Sequence, residues 1–167
     1  MNQLKKTVAV CGLAVALLVC GGVASQASQT SEVAAIHAAD DAWIKAYNTG
    51  QVENVVALYD PAATIYPPGA GSVMGRDAIH AFFTQDMSAF AKTGMTLALG
   101  DKPNGGVSGD MGWSSGTWIL KDKTGQAVDS GWYFSVSKKA DGKWFYVRDV
   151  WDSDKPAAPA TSGGNDR

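Results

Sequence analysis

Between Ala34 and Pro68 the chain reads AAIHAADDAWIKAYNTGQVENVVALYDPAATIYPP, and this stretch limits the fold more than any other. On a helical wheel starting at Val33, residues Ile36, His37, Asp40, Trp43, Ile44 and Tyr47 fall within one arc, with Ala38, Ala42, Lys45 and Ala46 opposite. The pattern predicts an amphipathic helix over about residues 31–49. Asp40 is its odd member, because it sits in the middle of the apolar arc, one turn before Trp43. Asn48-Thr49-Gly50 predicts the stop, since glycine adopts the left-handed conformation that ends helices. Val52, Val55, Val56 and Tyr59 then predict a second helix over residues 52–59, closed by Asp60-Pro61. A short strand, Ala62 to Tyr66, follows.

The N-terminus has a composition of its own. Lys5 and Lys6 precede an apolar run from Thr7 to Val19, and small residues follow through Ala27, which predicts a secretory signal peptide over residues 1–27. The run is interrupted by Gly12 and falls short of the roughly 20 residues that span a bilayer. The mature chain is expected to begin near residue 26 or 28, in the periplasm or outside the cell. Cys20, just after the apolar run, leaves bacterial lipidation as a lesser alternative. Both cysteines, Cys11 and Cys20, lie in this segment, so the mature protein is expected to have no disulfide and no thiolate ligand. Its loss takes away two lysines and no acid, moving the net charge from −2 to −4. An acidic chain without a basic run argues against nucleic acid as a partner.

Beyond Tyr66, Pro67 to Gly75 reads as a loop, and Arg76-Asp77 opens a third helix over residues 76–92, with Ile79, Phe82, Phe83, Met87 and Phe90 as its apolar stripe. His80 lies at the edge of that stripe and reads as a flanking side chain. The period changes to two from Met95 to Leu99, and again in strands at 110–121, 127–138 and 143–152. Gly100 to Gly109 reads as a long turn, and Asp141-Gly142 as a tight hairpin. Alternation places Trp144, Tyr146, Arg148, Val150 and Asp152 on one face of the last strand, and Phe145, Val147, Asp149 and Trp151 on the other. Residues 154–167, rich in Pro, Ala, Gly and Ser, read as a disordered tail. Helices followed by an antiparallel meander predict one α+β domain over residues 28–153, its three helices covering one face of a curved sheet.

Taken in order, Trp43-x-x-x-Tyr47-Asn48-x-Gly50, Ala57-Leu58-Tyr59, Ala63-Thr64-Ile65-Tyr66, Gly75-Arg76-Asp77-Ala78-Ile79, Gly142-Lys143-Trp144 and Asp149-x-Trp151 carry a family likeness. The string resembles the nuclear transport factor 2-like (NTF2-like) superfamily, and within it the bacterial SnoaL-like branch related to the kinase association domain. The resemblance spans about residues 31–153. It implies a cone-shaped α+β barrel whose open end holds a small-molecule pocket, often in a homodimer. Steroid isomerases of this fold use a tyrosine and two aspartates. At the matching positions this chain has Trp43, Pro67 and approximately Trp132, so that mechanism is not expected here.

Other chemistries are disfavoured by residue type. With only His37 and His80 and no usable cysteine, no closed metal site is expected. Gly106-Val107-Ser108-Gly109-Asp110 breaks the nucleophile-elbow pattern at its last position, and no phosphate-binding glycine loop occurs, so no cofactor is expected. What remains is acid among rings. Asp40 and Asp149 are the candidate catalytic carboxylates, because a carboxylate in a dry aromatic pocket can exchange protons near neutral pH. Pairing with Arg148, or for Asp40 a hydrogen bond from a tyrosine or indole, would instead make them structural. Trp43, Tyr47, Tyr66, Trp113, Trp118, Trp132 and Trp151 are the candidate ligand-binding residues, suited to a small apolar or ring-shaped molecule. Two functions stay open: a binding or accessory module, and a cofactor-independent acid–base enzyme of isomerase, dehydratase or cyclase type.

Overall fold

A computed structural model of the chain describes residues 15–101 and 103–155. Lys5, Lys6, Cys11 and all but the first two residues of the expected tail lie outside the described residues. Helix α1 runs over Val15–Asn48, so it begins well before the expected residue 31 and is continuous with the end of the expected leader. Its inward side chains include Ile36, Asp40 and Tyr47, as the wheel required. Ala46, placed on the opposite arc, is also buried, because α2 (Val52–Val56) folds back along that side and joins it to the core.

Helix α2 is shorter than predicted. Tyr59 belongs to strand β1 (Tyr59–Tyr66) rather than to the helix, and its ring is fully buried. The helical spacing from Val52 to Tyr59 was therefore shared by two elements, since Tyr59 faces the same core from the strand. After β1 come a short strand β2 (Val73–Met74), helix α3 (Arg76–Thr93), β3 (Thr96–Leu99), β4 (Asn104–Ser108), β5 (Met111–Lys121), β6 (Ala127–Ala140) and β7 (Lys143–Ser153). Strands β2 and β4 occupy stretches that read as loop and turn. Asn104-Gly105-Gly106-Val107 carries too little apolar signal to read as a strand alone, yet it pairs with β5 from Ser115 to Met111.

The seven strands form one curved, open sheet in the order β2-β1-β7-β6-β5-β3, with β4 also on β5. All pairs are antiparallel except β1 with β7, so the sheet is mixed. Helices α1 and α3 pack into its concave side, where Val55, Tyr59, Ile65, Ile79 and Phe83 close the narrow end as the core. This is the α+β arrangement that the sequence pattern predicts and the cone that the resemblance implies, with the sheet left open instead of closing into a barrel. The hairpin between β6 and β7 turns on Asp141 and Gly142, both at positive φ, the twin left-handed geometry for which Asp-Gly is suited.

The faces of β7 need correction. Val136 of β6 pairs with Arg148, but the next residue, Ser137, pairs with Tyr146, so Val147 is an extra residue bulged out of the ladder. Strict alternation separates Tyr146 from Asp149. The bulge resets the parity between them, and both become buried on the concave side.

Candidate functional site

The wide end of the cone holds a cavity of about 440 Å³. Four of the predicted ligand-binding residues line it: Trp43 and Tyr47 from α1, Trp118 from β5 and Trp151 from β7. Asp40 and Asp149 line it as well. The other three predicted residues do not. Tyr66, Trp113 and Trp132 are about two-fifths exposed, at 43%, 38% and 44%. Parity is the reason: Trp118 and Tyr133 face inward, so Trp113, five residues before the one, and Trp132, one before the other, stand on the convex face. There Trp113 stacks on Phe134, with centroids 6.0 Å apart.

Two glycines make the inner wall smooth enough for its rings. Trp118 lies across its cross-strand partner Gly131, where a Cβ would meet the indole at 2.4 Å. Tyr133 likewise covers its partner Gly116, where a Cβ would meet the phenol ring at 2.8 Å. A larger residue at position 116 would displace the Tyr133 ring, and one at position 131 would strike both the Trp118 indole and the Asp152 backbone carbonyl, 2.0 Å from its Cβ.

Asp40 reaches the cavity floor from α1 and is 5% exposed. It accepts hydrogen bonds from the hydroxyls of Tyr146 at 2.6 Å, Ser114 at 3.1 Å and Tyr133 at 3.4 Å. Asp149 comes from the opposite side on β7 and is 8% exposed. It accepts from Tyr59 at 2.6 Å and from Ser135 at 2.8 Å. Tyr59 is held in turn by the Trp43 indole, which donates to its oxygen at 3.0 Å. Neither carboxylate is paired with Arg148, which is exposed and donates to the Val147 carbonyl, but Asp40 does have the tyrosine hydrogen bonds of the structural alternative. Among the described residues the ion pairs are His80–Glu53, Lys139–Glu32 and Lys155–Asp129, all elsewhere.

Burial without a counter-ion sets the proton affinity of these groups. Desolvation pushes the Asp149 carboxyl up to about 6, against the downward pull of the Tyr59 and Ser135 hydrogen bonds, and the charge of Asp40 adds to the rise. Asp40 is also raised by burial, while the hydrogen bonds from Tyr146 and Ser114 and the charge of His37 oppose it. Burial and the neighbouring carboxylates push Tyr59 and Tyr146 far above the ordinary phenol range. The tyrosines therefore remain protonated donors.

A third carboxylate, unanticipated from the sequence, belongs to the same wall. Asp86 of α3 lines the cavity at partial exposure and accepts the Tyr47 hydroxyl at 2.6 Å. Tyr47 stacks flat on Trp43, with centroids 4.9 Å apart and planes 10° from parallel. Phe82, Phe83 and Phe90 complete the α3 side. Their helical stripe was legible, whereas Asp86 lies one position before the buried Met87 and reads as ordinary solvent-facing helix. Tyr59, Tyr133 and Tyr146 were missed too, the first as a helix end and the last because of the bulge. No group of three or more metal-ligating side chains converges among the described residues.

A family model described as SnoaL-like domain matches residues 41–147. No curated protein matches the chain. Among solved structures, an NTF2-like protein with a cystatin-like fold from Novosphingobium aromaticivorans superposes with a TM-score of 0.69 at 16% identity, over 88% of this chain and 95% of that one. A calcium/calmodulin dependent protein kinase II association domain from Xanthomonas campestris gives 0.58 at 21% identity, over 71% and 84%. A ketosteroid isomerase-like protein from Erwinia carotovora atroseptica gives 0.58 at 22% identity, over 75% and 98%. At these identities the structural likeness speaks to the fold alone. The family match, which takes in the cavity from Trp43 to Tyr146, decides the membership: this chain belongs to the SnoaL-like domain family.

Proposed function

We propose that this protein is an exported binding protein for small, mainly apolar, ring-shaped molecules. The observation that carries the reading is the aromatic cavity of about 440 Å³, a size suited to a ligand of two or three rings. Its polar groups are few and converge on the two buried aspartates, which fits orientation of a bound molecule. The neutral fluorophore N-phenylnaphthylamine tests it: saturable binding at one site per chain is expected, weakened about tenfold by Trp118→Ala through loss of one wall. Absence of saturable binding would sink the reading.

A second reading is favoured by one specific observation, the Asp149 carboxyl poised at about 6 inside the cavity. A group with that affinity is mostly ionised at neutral pH and accepts a proton readily, so acid–base turnover of a bound substrate is the alternative. Tyr66 plays no part in it, because it lies outside the cavity. Deuterium incorporation from D2O into a panel of cyclic ketones separates the two. Incorporation that Asp149→Asn abolishes, with fluorophore binding kept, would favour the enzyme.

Export rests on the leader-like residues 1–27, and mass spectrometry of protein from its native host is expected to find a start near residue 26 or 28. An intact Met1 or a lipid on Cys20 would overturn the soluble exported form. Among the described residues no helix is long and apolar enough to cross a membrane. We also propose a homodimer through the convex face of the sheet.

A further inference from the structure

Among the described residues, the side-chain hydrogens that face the cavity are committed except the Trp151 indole N–H. Tyr146 and Tyr133 donate to Asp40, Ser135 to Asp149, and Tyr47 to Asp86. The indole hydrogens of Trp43 and Trp118 go to Tyr59 and to the Trp132 carbonyl. What the wall presents to a ligand is therefore mainly acceptors, three carboxylates and the faces of the rings, against one free side-chain donor, the Trp151 indole. Among the described residues, no lysine, arginine or histidine lines it.

This imbalance selects by charge. An anion entering the cavity would meet three acidic groups with no cation on the described lining, and a ligand carbonyl would find one free side-chain donor, the Trp151 indole. A protonated amine meets the opposite situation, since carboxylates and aromatic faces both attract it. Among the three carboxylates, Asp86 keeps partial solvent access, while Asp40 and Asp149 are buried under their own hydrogen bonds. An ammonium group at Asp86 thus leaves the two buried networks intact. The flat Trp43–Tyr47 stack lies next to it, tied to Asp86 by the Tyr47 hydroxyl.

We infer that the ligand is a small ring-bearing amine, bound as its cation, with the ammonium at Asp86 and the ring against the aromatic wall. The inference rests on the ligand-binding reading above and narrows it to one chemical class.

Three probes sharing one ring system test it by calorimetry at about pH 7.5: naphthylmethylamine as the cation, naphthylmethanol as the neutral form, and naphthoate as the anion. The amine is expected to bind about tenfold tighter than the alcohol, with naphthoate binding undetected. Asp86→Asn, which still accepts the Tyr47 hydroxyl, is expected to bring the amine down to the level of the alcohol and leave the alcohol unchanged. Equal or tighter binding of the alcohol overturns the charge preference while leaving the cavity reading in place. An equal loss of both probes in Asp86→Asn overturns the role of Asp86. If none of the three binds, the inference and the binding reading fall together. The comparison on the unaltered protein stands whether or not the variant folds.

Discussion

The two faces of the β5–β6 ribbon carry the same kinds of ring and do different things with them. On the concave face, Trp118 and Tyr133 share the wall with Ser114 and Ser135, which bond Asp40 and Asp149, and both rings have their own hydrogen in a hydrogen bond. On the convex face, Trp113, Trp132 and Phe134 stand with much of their area bare. The difference teaches that tryptophan content does not locate a binding site. Buried carboxylates without cations do, because leaving such a group inside a protein opposes folding unless something else requires it there.

The largest effect that can test this contrast is on stability. Phe83 is fully buried and packs against Trp43, Tyr59 and Trp151 while lining the cavity. Phe83→Ala is expected to cost about 3–5 kcal/mol, as buried aromatic truncations do. Trp132→Ala on the convex face is expected to cost under about 1 kcal/mol in the isolated chain, although it removes a larger side chain. Urea denaturation reads both. Similar losses would break the distinction between the two faces.

Next in size is the effect of Asp149, and here the direction matters more than the amount. Its folded carboxyl lies near 6 against an ordinary 3.8, so between those values the folded chain holds more protons than the unfolded chain. Stability therefore falls as pH rises through that window, and above it the fold bears the full penalty of an ionised buried aspartate. Asp149→Asn does not titrate. The stability of the variant relative to the natural protein is expected to improve by about 3 kcal/mol between about pH 4 and about pH 8, from a shift of roughly two units. Chemical denaturation at several pH values measures it. A flat difference would mean that Asp149 is an ordinary structural acceptor.

How much of this was legible depended on whether one residue or a pairing register carried the information. Asp40 could be found because a carboxylate within an apolar helical arc is anomalous on the sequence alone. The α+β order, helices and then a sheet, could be found because the period switches from helical to two after Gly94, with turn residues at each reversal, while the cone came from the family resemblance. Tyr146 and Asp149 could not be placed together, because one bulged residue, Val147, reverses the faces of β7 and leaves no mark on the alternation. Trp113 and Trp118 were separable onto opposite faces by their odd spacing, but which of them faced inward depended on where the helices landed. Asp86 was hidden for a different reason. An aspartate on an amphipathic helix is usual, and only the arrival of Tyr47 from α1, 39 positions earlier, makes it part of the cavity wall.

The smallest effect expected on the single chain concerns the convex face, where the contrast can be sharpened by asking what the bare rings are for. Trp113 and Phe134 form a stacked pair, Trp132 is two positions from Phe134 along the strand, and Tyr66 lies across β7, on the same row as Phe134 through Val150. A contiguous apolar area of this kind on a sheet face is what a symmetric interface uses, with the same patch on both partners. Light scattering of the mature protein is expected to give twice the chain mass. A single lysine at position 113, Trp113→Lys, places two like charges close together across the two-fold axis and is expected to yield monomer. Within one chain it should change little, because Trp113 has no side-chain hydrogen bond to lose and already borders water. The cavity lies behind the sheet from this residue, so N-phenylnaphthylamine should bind the monomeric variant as well as it binds the dimer. A natural protein that is monomeric would remove the interface, and the convex rings would then be exposed apolar surface alone. A variant that loses fluorophore binding along with the dimer would instead show that the two faces are not independent, and that the concave wall keeps its shape only when its outer side is covered.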